Sequence, residues 1–197
     1  MSVNLQKGQK VSLTKENPNL TAVVAGLGWD EVQNKGMFGA RSSSTAEIDC
    51  DASAILLKGG RYVDRKDVVY FANLTHKSGA VKHMGDNLTG AGDGDDEQIY
   101  IDLSRVPVDY DKIVIVVNIY AAEHRKQHFG MIENAFIRLV NAQTGKELIK
   151  YNLTEDYNGK TALVFGEIYR YKGEWKFNAI GNGTNDFSIM EVVNRFK

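Results

Sequence analysis

The sequence predicts a mainly β protein with a few short helices, and three observations lead to this fold class. Short apolar runs with strand-like patterns dominate the chain, and Gly, Asn, Asp or Pro bounds each of them. No segment requires a long helix. The chain has only two prolines and no low-complexity linker, so we expect one sandwich-sized domain over residues 1–197.

Seven runs along the chain have the length and composition of β-strands. Residues 98–103 alternate apolar and polar side chains, as expected for a strand with one buried face. Residues 113–117 are apolar throughout, which predicts a central strand covered on both faces. The predicted strands are 3–13, 22–29, 46–57, 68–72, 98–103, 112–120 and 132–140.

The C-terminal part predicts a β-hairpin followed by a short helix. Residues 161–171 and 174–180 flank a two-residue turn at 172–173, which is the spacing of a hairpin. Asp186 is the expected N-cap of a helix that packs on the sandwich through Phe187, Met190 and Val193. A second short helix is expected within residues 121–129.

Composition and charge exclude several classes of function. Hydrophobic residues make up 43% and charged residues 25% of the chain, which is typical of a globular protein. The net charge of −1 provides no overall attraction to nucleic acid or anionic lipid. No apolar run approaches the roughly 20 residues of a membrane span, and residues 1–7 contain no apolar core of signal-peptide length. We therefore expect a cytoplasmic protein, and a monomer.

The cysteine and histidine side chains give no catalytic signal. The single cysteine, Cys50, has acidic neighbours, so we expect a small buried core residue and not a reactive thiol. His76 and His83 lie in a polar stretch and are expected to be exposed. No nucleophile elbow or phosphate-loop motif is present.

The segment from residue 85 to residue 97, here called the acid segment, carries the strongest functional signal. It holds five acidic residues, four glycines and no basic residue. Carboxylates this close repel one another, and a hard cation removes the repulsion. Calcium accepts about six to eight oxygen ligands in tolerant geometry, whereas magnesium requires a stricter octahedron. The composition therefore favours a calcium site.

A second set of oxygen ligands is predicted on the strand that ends at residue 57. The strand period of two places Glu47, Asp49, Asp51 and Ser53 on one face, opposite the apolar face that contains Cys50. This acidic face can complete a cation site that the acid segment begins. Calcium would then join two distant parts of the chain and stabilise the fold.

The acid segment has three other possible interpretations: a solvated turn, an EF-hand or a phosphate-binding loop. Clusters of Gly and Asp are most often solvated turns. An EF-hand frame that starts at Asp93 fails, because Gln98 stands where the turn glycine belongs and Ser104 where the bidentate Glu belongs. A phosphate-binding glycine loop is disfavoured because acids repel phosphate and a strand follows.

The acid segment and the acidic strand together support a family resemblance. Motifs that carry it are spread over most of the chain, and include the Gly-Leu-Gly-Trp-Asp run at 26–30. They lie at residues 11–15, 26–30, 49–54, 85–97, 134–139, 166–170 and 173–176. In these motifs the chain resembles the TerD family of tellurite-resistance and general stress proteins.

The resemblance implies a fold, a cofactor and a set of ligands. The fold is a β-sandwich of two mostly antiparallel sheets, and the cofactor is Ca²⁺, as one or two ions. The implied partners are other tellurite-resistance and stress proteins, including membrane-associated ones. The implied metal ligands are Asp49, Asp51, Asp86, Asn87, Asp93, Asp95, Asp96 and Glu97, with carbonyl groups from Gly90 and Gly92.

Two functional hypotheses follow from the sequence. The first is a calcium-binding stress-response protein, associated with tellurite resistance, that acts as a non-enzymatic binding module. The alternative is a metal-dependent receptor or hydrolase for phosphate or a nucleotide, which would use the acidic cleft and its cation. The sequence offers this alternative no nucleophile or general base that can be assigned.

Overall fold

Two six-stranded β-sheets make up most of the computed structural model, which describes residues 2–31, 48–85 and 94–197. The first sheet has the spatial order β1 (Val3–Leu5), β10 (Glu147–Asn152), β9 (Ile132–Asn141), β3 (Ala22–Glu31), β7 (Glu97–Asp102) and β6 (Val81–His83). The second has the order β2 (Lys10–Ser12), β12 (Glu174–Thr184), β11 (Ala162–Tyr171), β8 (Lys112–Ile119), β4 (Cys50–Leu57) and β5 (Val68–Val69).

Almost all neighbouring strands run antiparallel. Among the described strand pairs, only β1 and β10 are parallel. The first two strands of the chain pair with late strands, since β1 borders β10 and β2 borders β12. The predicted β-sandwich of two mostly antiparallel sheets is confirmed.

Short helices connect or cover the strands. They are α1 (Leu13–Glu16), α2 (Ala122–Arg125) and α3 (Ile189–Val193), with 3₁₀ turns at Arg65–Asp67, Phe129–Met131 and Asn194–Phe196. Helix α2 and the turn after it fall where a second short helix was expected. None of the helices in the described ranges has the length and apolarity to cross a membrane.

The main core lies between the two sheets, and a second, smaller core lies on the outer face of the second sheet. Strand β8 lies between β11 and β4, and its residues 113–119 are buried. Its odd positions, such as Ile113, face the main core, whereas Val114 and Val116 face the smaller one, which α3 covers. This confirms the predicted central strand covered on both faces.

Several predicted element bounds need correction. The run 3–13 is two short strands and the start of α1, and the run 68–72 reduces to the two residues of β5. Residues 46–47 of the predicted strand 46–57 lie outside the described ranges, and β4 begins at Cys50. Strands β6 and β10 were not predicted. The C-terminal hairpin is confirmed as β11 and β12, which pair across the turn at 172–173.

The C-terminal helix packs on the second sheet as predicted, but its cap and its buried face differ. Ser188, not Asp186, is the N-cap, and its hydroxyl accepts a hydrogen bond from the N–H of Glu191. Asp186 instead pairs with Arg195. Phe187 remains exposed because the helix begins only at Ile189. The helix buries Ile189, Val192 and the predicted Val193, whereas Met190 is half-buried.

The second face of β4 also differs from expectation. The strand period does place Cys50 in the main core and Asp51 and Ser53 on the opposite face. That face is nevertheless buried, with Asp51 7% and Ser53 1% exposed. Both polar side chains therefore lie in a desolvated environment and not on a solvated sheet surface.

Candidate functional site

The three acids that end the acid segment point into three different environments. Asp95 lies against the outer face of the first sheet, Asp96 lines a cleft, and Glu97 begins β7 with its side chain turned into the sandwich. Asp95 and Asp96 precede β7, which begins at Glu97, so the strand period does not fix the directions of their side chains. Each acid therefore has a distinct structural role.

Asp95 is held by an ion pair with β9. Its Oδ1 lies 2.6 Å from Nε of Arg138, and the Asp95 side chain is only 2% exposed. Gly26 on β3 makes this position possible, since a Cβ there would lie 2.0 Å from Asp95 Oδ2. The carboxylate thus lies flat against the strand backbone, where any side chain at position 26 would displace it.

Asp96 is tied to the backbone of β3 at two points. Its N–H donates to the carbonyl of Leu27 at 2.7 Å, and its carboxylate accepts the N–H of Trp29 at 2.9 Å. Burial raises the pKa of Asp96, and the negative charges of Asp30 and Asp95 raise it further, against the opposing effect of the Trp29 N–H. A cation near this carboxylate would relieve that unfavourable environment.

Asp30 lies next to Asp96 because of a bulge in β3. The register between β3 and β9 shifts between Gly28 and Asp30, which redirects the Asp30 side chain. Asn134, which has a left-handed backbone with φ of 54°, donates its side-chain N–H to Asp30 at 2.8 Å. A non-glycine residue in this conformation is uncommon and is concentrated at functional sites.

Asp30 was not among the predicted ligands, although the signal was available. It ends the Gly-Leu-Gly-Trp-Asp run at 26–30, which carried the family resemblance. Its partner Asn134 lies on a different strand, and no local pattern in the sequence connects the two. The structure therefore adds Asp30 to the candidate site.

The acidic start of β4 approaches the same end of the sandwich. Burial raises the pKa of the Cys50 thiol, and the charges of Asp49, Asp51, Asp96 and Glu97 raise it further. The charges of both acidic regions therefore act on Cys50, while their joint metal site stays a prediction. Cys50 itself is 2% exposed, which confirms the expectation of a buried core residue.

A cleft of about 560 Å³ opens beside these acids. Asp30 and Asp96 contribute carboxylates to its wall, and the ammonium group of Lys150 lies 4.1 Å from the ring centroid of Phe136 within it. The full lining consists of Trp29, Asp30, Gly94, Asp96, Asn134, Phe136, Lys150, Asn152, Leu153 and Thr154. The cleft thus combines acidic, basic, amide and aromatic groups.

The described acids fit a calcium ion as part of a larger ligand set. Carboxylates and the Gly94 carbonyl are the hard oxygen donors that calcium prefers. In the described ranges, however, no three His, Cys, Asp or Glu side chains form a metal-binding group by themselves. The other predicted ligands, Asp86, Asn87, Gly90, Gly92 and Asp93, and also Glu47, lie outside the described residues.

The expectation that His76 and His83 are exposed is wrong. They are 1% and 6% exposed, because each finds a carboxylate partner inside the fold. Nε2 of His83 lies 3.0 Å from Oε2 of Glu97. Burial opposes protonation of this ring, but the Glu97 carboxylate raises the pKa of His83 above its ordinary value.

His76 belongs to a second buried cluster, around Asp67. Oδ1 of Asp67 accepts from the hydroxyl of Tyr110 at 2.6 Å, from Nζ of Lys77 at 2.8 Å and from Nε2 of His76 at 3.3 Å. Burial alone would raise the pKa of Asp67, but these three donors hold it below its ordinary value. The cluster links the chain segments around Asp67, His76 and Tyr110 at one edge of the sandwich.

Ser78 extends this cluster into a Ser-His-Asp series within a tight turn. Its Oγ lies 2.7 Å from Nδ1 of His76, and Asp67 contacts Nε2, which reverses the ring contacts of a catalytic triad. The same Oγ accepts the N–H of Ala80, and the Ser78 N–H contacts the same ring nitrogen, so these contacts define a tight turn. Neither the cleft at Asp96 nor one beside Phe129 is lined by Ser78.

Comparisons with known proteins agree with the fold and with the motifs. Residues 1–196 match the TerD domain. The chain is 49% identical over 198 residues to stress response protein SCP2 of Bacillus subtilis (strain 168), with all of both chains covered. It is 48% identical over 184 residues to tellurium resistance protein TerD of Serratia marcescens, covering 93% of this chain and 91% of that one.

Solved structures show the same fold at low sequence identity. A crystal structure of a homologue of telluride resistance protein (TerD) from Streptomyces coelicolor A3(2) aligns with a TM-score of 0.70 and 20% identity. That alignment covers 91% of this chain and 99% of the other. With the domain match over the whole length and relatives of nearly half identical sequence, this chain belongs to the TerD family.

Proposed function

We propose that this protein is a calcium-binding stress-response protein that contributes to tellurite resistance as a non-enzymatic binding module in the cytoplasm. The observation that carries the proposal is the pair of carboxylates, Asp30 from β3 and Asp96 from the end of the acid segment, that line one cleft. Their mutual repulsion in a partly buried site is the physical reason to expect a cation there. The names of the relatives supply the link to stress and tellurium.

The described acids divide into two proposed roles. Asp95 and Glu97 are each engaged by a basic side chain, so we assign them to anchoring the end of the acid segment. Asp30 and Asp96 face the cleft and would hold an ion there. Asp49 and Asp51 remain proposed ligands at the start of β4 and do not line this cleft. The remaining proposed ligands are Asp86, Asn87, Gly90, Gly92 and Asp93. Bound calcium would supply positive charge that compensates these carboxylates.

Calorimetric titration of the chelator-treated protein with calcium, with magnesium as competitor, tests the proposal directly. We expect calcium-selective binding and a melting temperature that rises with calcium concentration, because a ligand that binds only the folded state stabilises it. Asp30→Asn and Asp96→Asn should each weaken calcium affinity about tenfold or more, since charge count sets affinity in oxygen-ligand sites. Absence of calcium binding by the wild-type protein would overturn the proposal.

A charge-matched control separates ligand loss from a general electrostatic effect. Glu123 is exposed on α2, away from the cleft, so Glu123→Gln removes the same unit of charge without touching the site. Its calcium affinity should equal that of the wild-type protein. An equal loss in Glu123→Gln and Asp96→Asn would mean that the affinity reflects net charge only.

The physiological part of the proposal needs a test in cells. In a bacterial strain that lacks a related TerD protein, we expect this chain to restore growth on tellurite and the Asp96→Asn variant to fail at equal protein level. The ordered acid segment would present a surface to other tellurite-resistance and stress proteins. Full rescue by a variant that does not bind calcium would separate resistance from calcium binding.

The cleft favours a second candidate function, a receptor for a small anionic ligand. Lys150 has no carboxylate within ion-pairing distance among the described residues, and it shares the cleft with Asp30 and Asp96. An anion could therefore bind between a cation on the acids and the ammonium group. Titration with inorganic phosphate should show binding only with calcium present and only with Lys150 intact, with Lys150→Met as the comparison.

A further inference from the structure

A second cleft, here called the Phe129 groove, opens where two neighbouring strands separate. Its volume is about 360 Å³. Strand β10 ends at Asn152, and one further hydrogen bond joins the N–H of Leu153 to the carbonyl of Ala135 at 2.8 Å. Beyond this bond the chain after β10 leaves the sheet. The groove is lined by that departing segment on one side and by the first part of β9 on the other.

The start of β9 has an open edge in the Phe129 groove. On one side, Ile132 and Glu133 pair with β3. On the other side β10 has already ended, and no other strand of the described chain takes its place. Residues 132–134 span roughly 10 Å of strand, which is enough for a short extended segment to pair with them. The groove therefore offers part of the β9 backbone to an incoming strand.

The floor of the groove is apolar. Ile132 and Leu153 pack against the main core with partly buried side chains, and Phe129 is 5% exposed. The hydroxyl of Tyr157 donates to the carbonyl of Gly181 at 2.9 Å, so the polar end of this side chain is already satisfied inside the fold. Because side chains of a strand alternate between faces, every second side chain of a segment in the groove could bury apolar atoms on this floor.

The rim of the groove is acidic, since Glu133, Glu155 and Asp156 line it. Glu133 and Asp156 are exposed and have no basic side chain within ion-pairing distance in the described part of the chain. Glu155 already binds an ammonium group, because its Oε2 lies 2.7 Å from Nζ of Lys7. Charge complementarity selects the partner of such a surface, so the rim favours basic side chains.

We propose that the Phe129 groove binds an extended basic segment of a partner protein. The segment adds a short strand beside the start of β9 and places Lys or Arg side chains on the acidic rim. A small polyamine would match the rim, but it would use neither the strand edge nor the apolar floor. No residue that lines the groove is a proposed calcium ligand, so this inference goes beyond the calcium site.

Fluorescence anisotropy with labelled peptides tests the proposal on the chelator-treated protein. The probe is the peptide Lys-Val-Lys-Val-Lys-Val, and its binding should weaken as salt screens the rim. We expect the peptides Glu-Val-Glu-Val-Glu-Val and Ser-Val-Ser-Val-Ser-Val to bind at least about tenfold more weakly, because they lack the complementary charge. A probe methylated on alternate backbone nitrogens should also bind more weakly, since it loses the donors for strand pairing.

Two variants of the rim and one matched control locate the binding site. Glu133→Gln should raise the Kd of the Lys-Val probe about two- to fivefold, as is typical for one exposed charge contact. Asp156→Lys should raise it about fivefold or more, because the charge changes by two units. Glu16→Lys makes the same charge change at an exposed position of α1 that does not line the groove, so it should leave the Kd unchanged.

Each alternative occupant gives a different result. An unchanged Kd in Asp156→Lys, or an equal rise in Glu16→Lys, would overturn the groove as the binding site. Equal affinity for the Ser-Val peptide would mean that an apolar segment, and not a basic one, binds there. Equal affinity for the methylated probe would exclude strand addition. If the wild-type protein bound none of these peptides, the inference would be overturned, whereas the calcium titration would remain a separate test of the proposed function.

Discussion

At the scale of single residues, two glycines in β3 leave space for side chains of neighbouring segments. Gly26 leaves room for the carboxylate of Asp95, and Gly28 leaves room for the ring of Phe136, which a Cβ would approach to 2.6 Å. Both glycines stand in β3 with ordinary extended backbones, so it is space and not conformational freedom that requires them. Their role is therefore to let side chains of neighbouring segments contact the strand backbone.

The Gly26→Ala substitution tests this role. The added methyl group overlaps Asp95 and should break its ion pair with Arg138, with a loss of about 1–3 kcal/mol in the free energy of unfolding, typical of overpacking. Urea unfolding measures the loss. In an Asp95→Ala background the same substitution should cost clearly less, since the overlapping carboxylate is gone. Equal costs in both backgrounds would exclude the overlap as the cause.

Cys50 gives a second prediction at this scale. Its thiol is buried and surrounded by negative charge, both of which raise its pKa and suppress the reactive thiolate. We expect a thiol reagent at pH 8 to modify the native protein at least about 100 times more slowly than the urea-unfolded protein, because reaction requires opening of the core. Rapid modification of the native protein would contradict this expectation and would make a direct redox reaction of Cys50 with tellurite possible.

At the scale of elements, the Asp67 cluster fastens the edge of the sandwich where β5 and β6 lie. It joins the 3₁₀ turn Arg65–Asp67, the turn after His76 and the connection that carries Tyr110. These connections have few strand hydrogen bonds of their own, since β5 contains only two residues and β6 only three. The buried Asp67 carboxylate and its three donors therefore stabilise this edge, where the short strands provide few backbone hydrogen bonds.

Asp67→Asn should destabilise the protein by about 3 kcal/mol at neutral pH, the size typical of breaking a buried charge pair. The pKa of Asp67 is lower in the folded than in the unfolded protein, so its contribution is fully present above the ordinary value of 3.8 and is lost as the pH falls through the folded value. The difference in urea unfolding midpoint between the wild-type protein and Asp67→Asn should therefore become smaller below pH 4. Asp109→Asn, in an exposed pair with Lys58, is the control and should change little.

The elements also show why the sequence predicted some features and not others. The run 113–117 was recognisable because continuous burial leaves a continuous apolar pattern. Strand β10 was missed because a bulge between Glu147 and Ile149 buries the consecutive residues Leu148 and Ile149 and interrupts the period of two. The prediction that His76 and His83 are exposed was wrong because their carboxylate partners come from other parts of the fold. The polarity of neighbouring residues therefore does not indicate that they are buried. The acidic character of the site was visible in composition, whereas the contribution of Asp30 depends on a bulge and on Asn134 of another strand.

At the scale of the whole molecule, residues 3–12 join the two sheets by adding one edge strand to each. Val3 stands opposite Ile149 in the first sheet, and Ser12 stands opposite Lys176 in the second. The link between these strands is fixed as well, since Gly8 donates its N–H to the carbonyl of Ala179 at 2.7 Å. The segment covers edges of β10 and β12 that would otherwise be open to other chains.

Removal of residues 1–12 should therefore cause self-association. It leaves the backbone groups of β10 and β12 unpaired at two sheet edges, and such edges pair readily with other strands. Light scattering after size-exclusion chromatography should show dimers or larger species, whereas a chain that lacks only residues 1–2, which precede β1, should match the full-length protein. A monomeric truncated protein would mean that these edges are protected by another feature.

The position of these edge strands also matters while the protein is being made. During translation β1 and β2 leave the ribosome long before their partners, so they are already available when β10 and β12 emerge from the exit tunnel. Nascent chains are most prone to associate with one another when strand edges are newly exposed. The order of synthesis thus lets each late strand meet its edge partner within its own polypeptide, before it meets a neighbour on the same polysome.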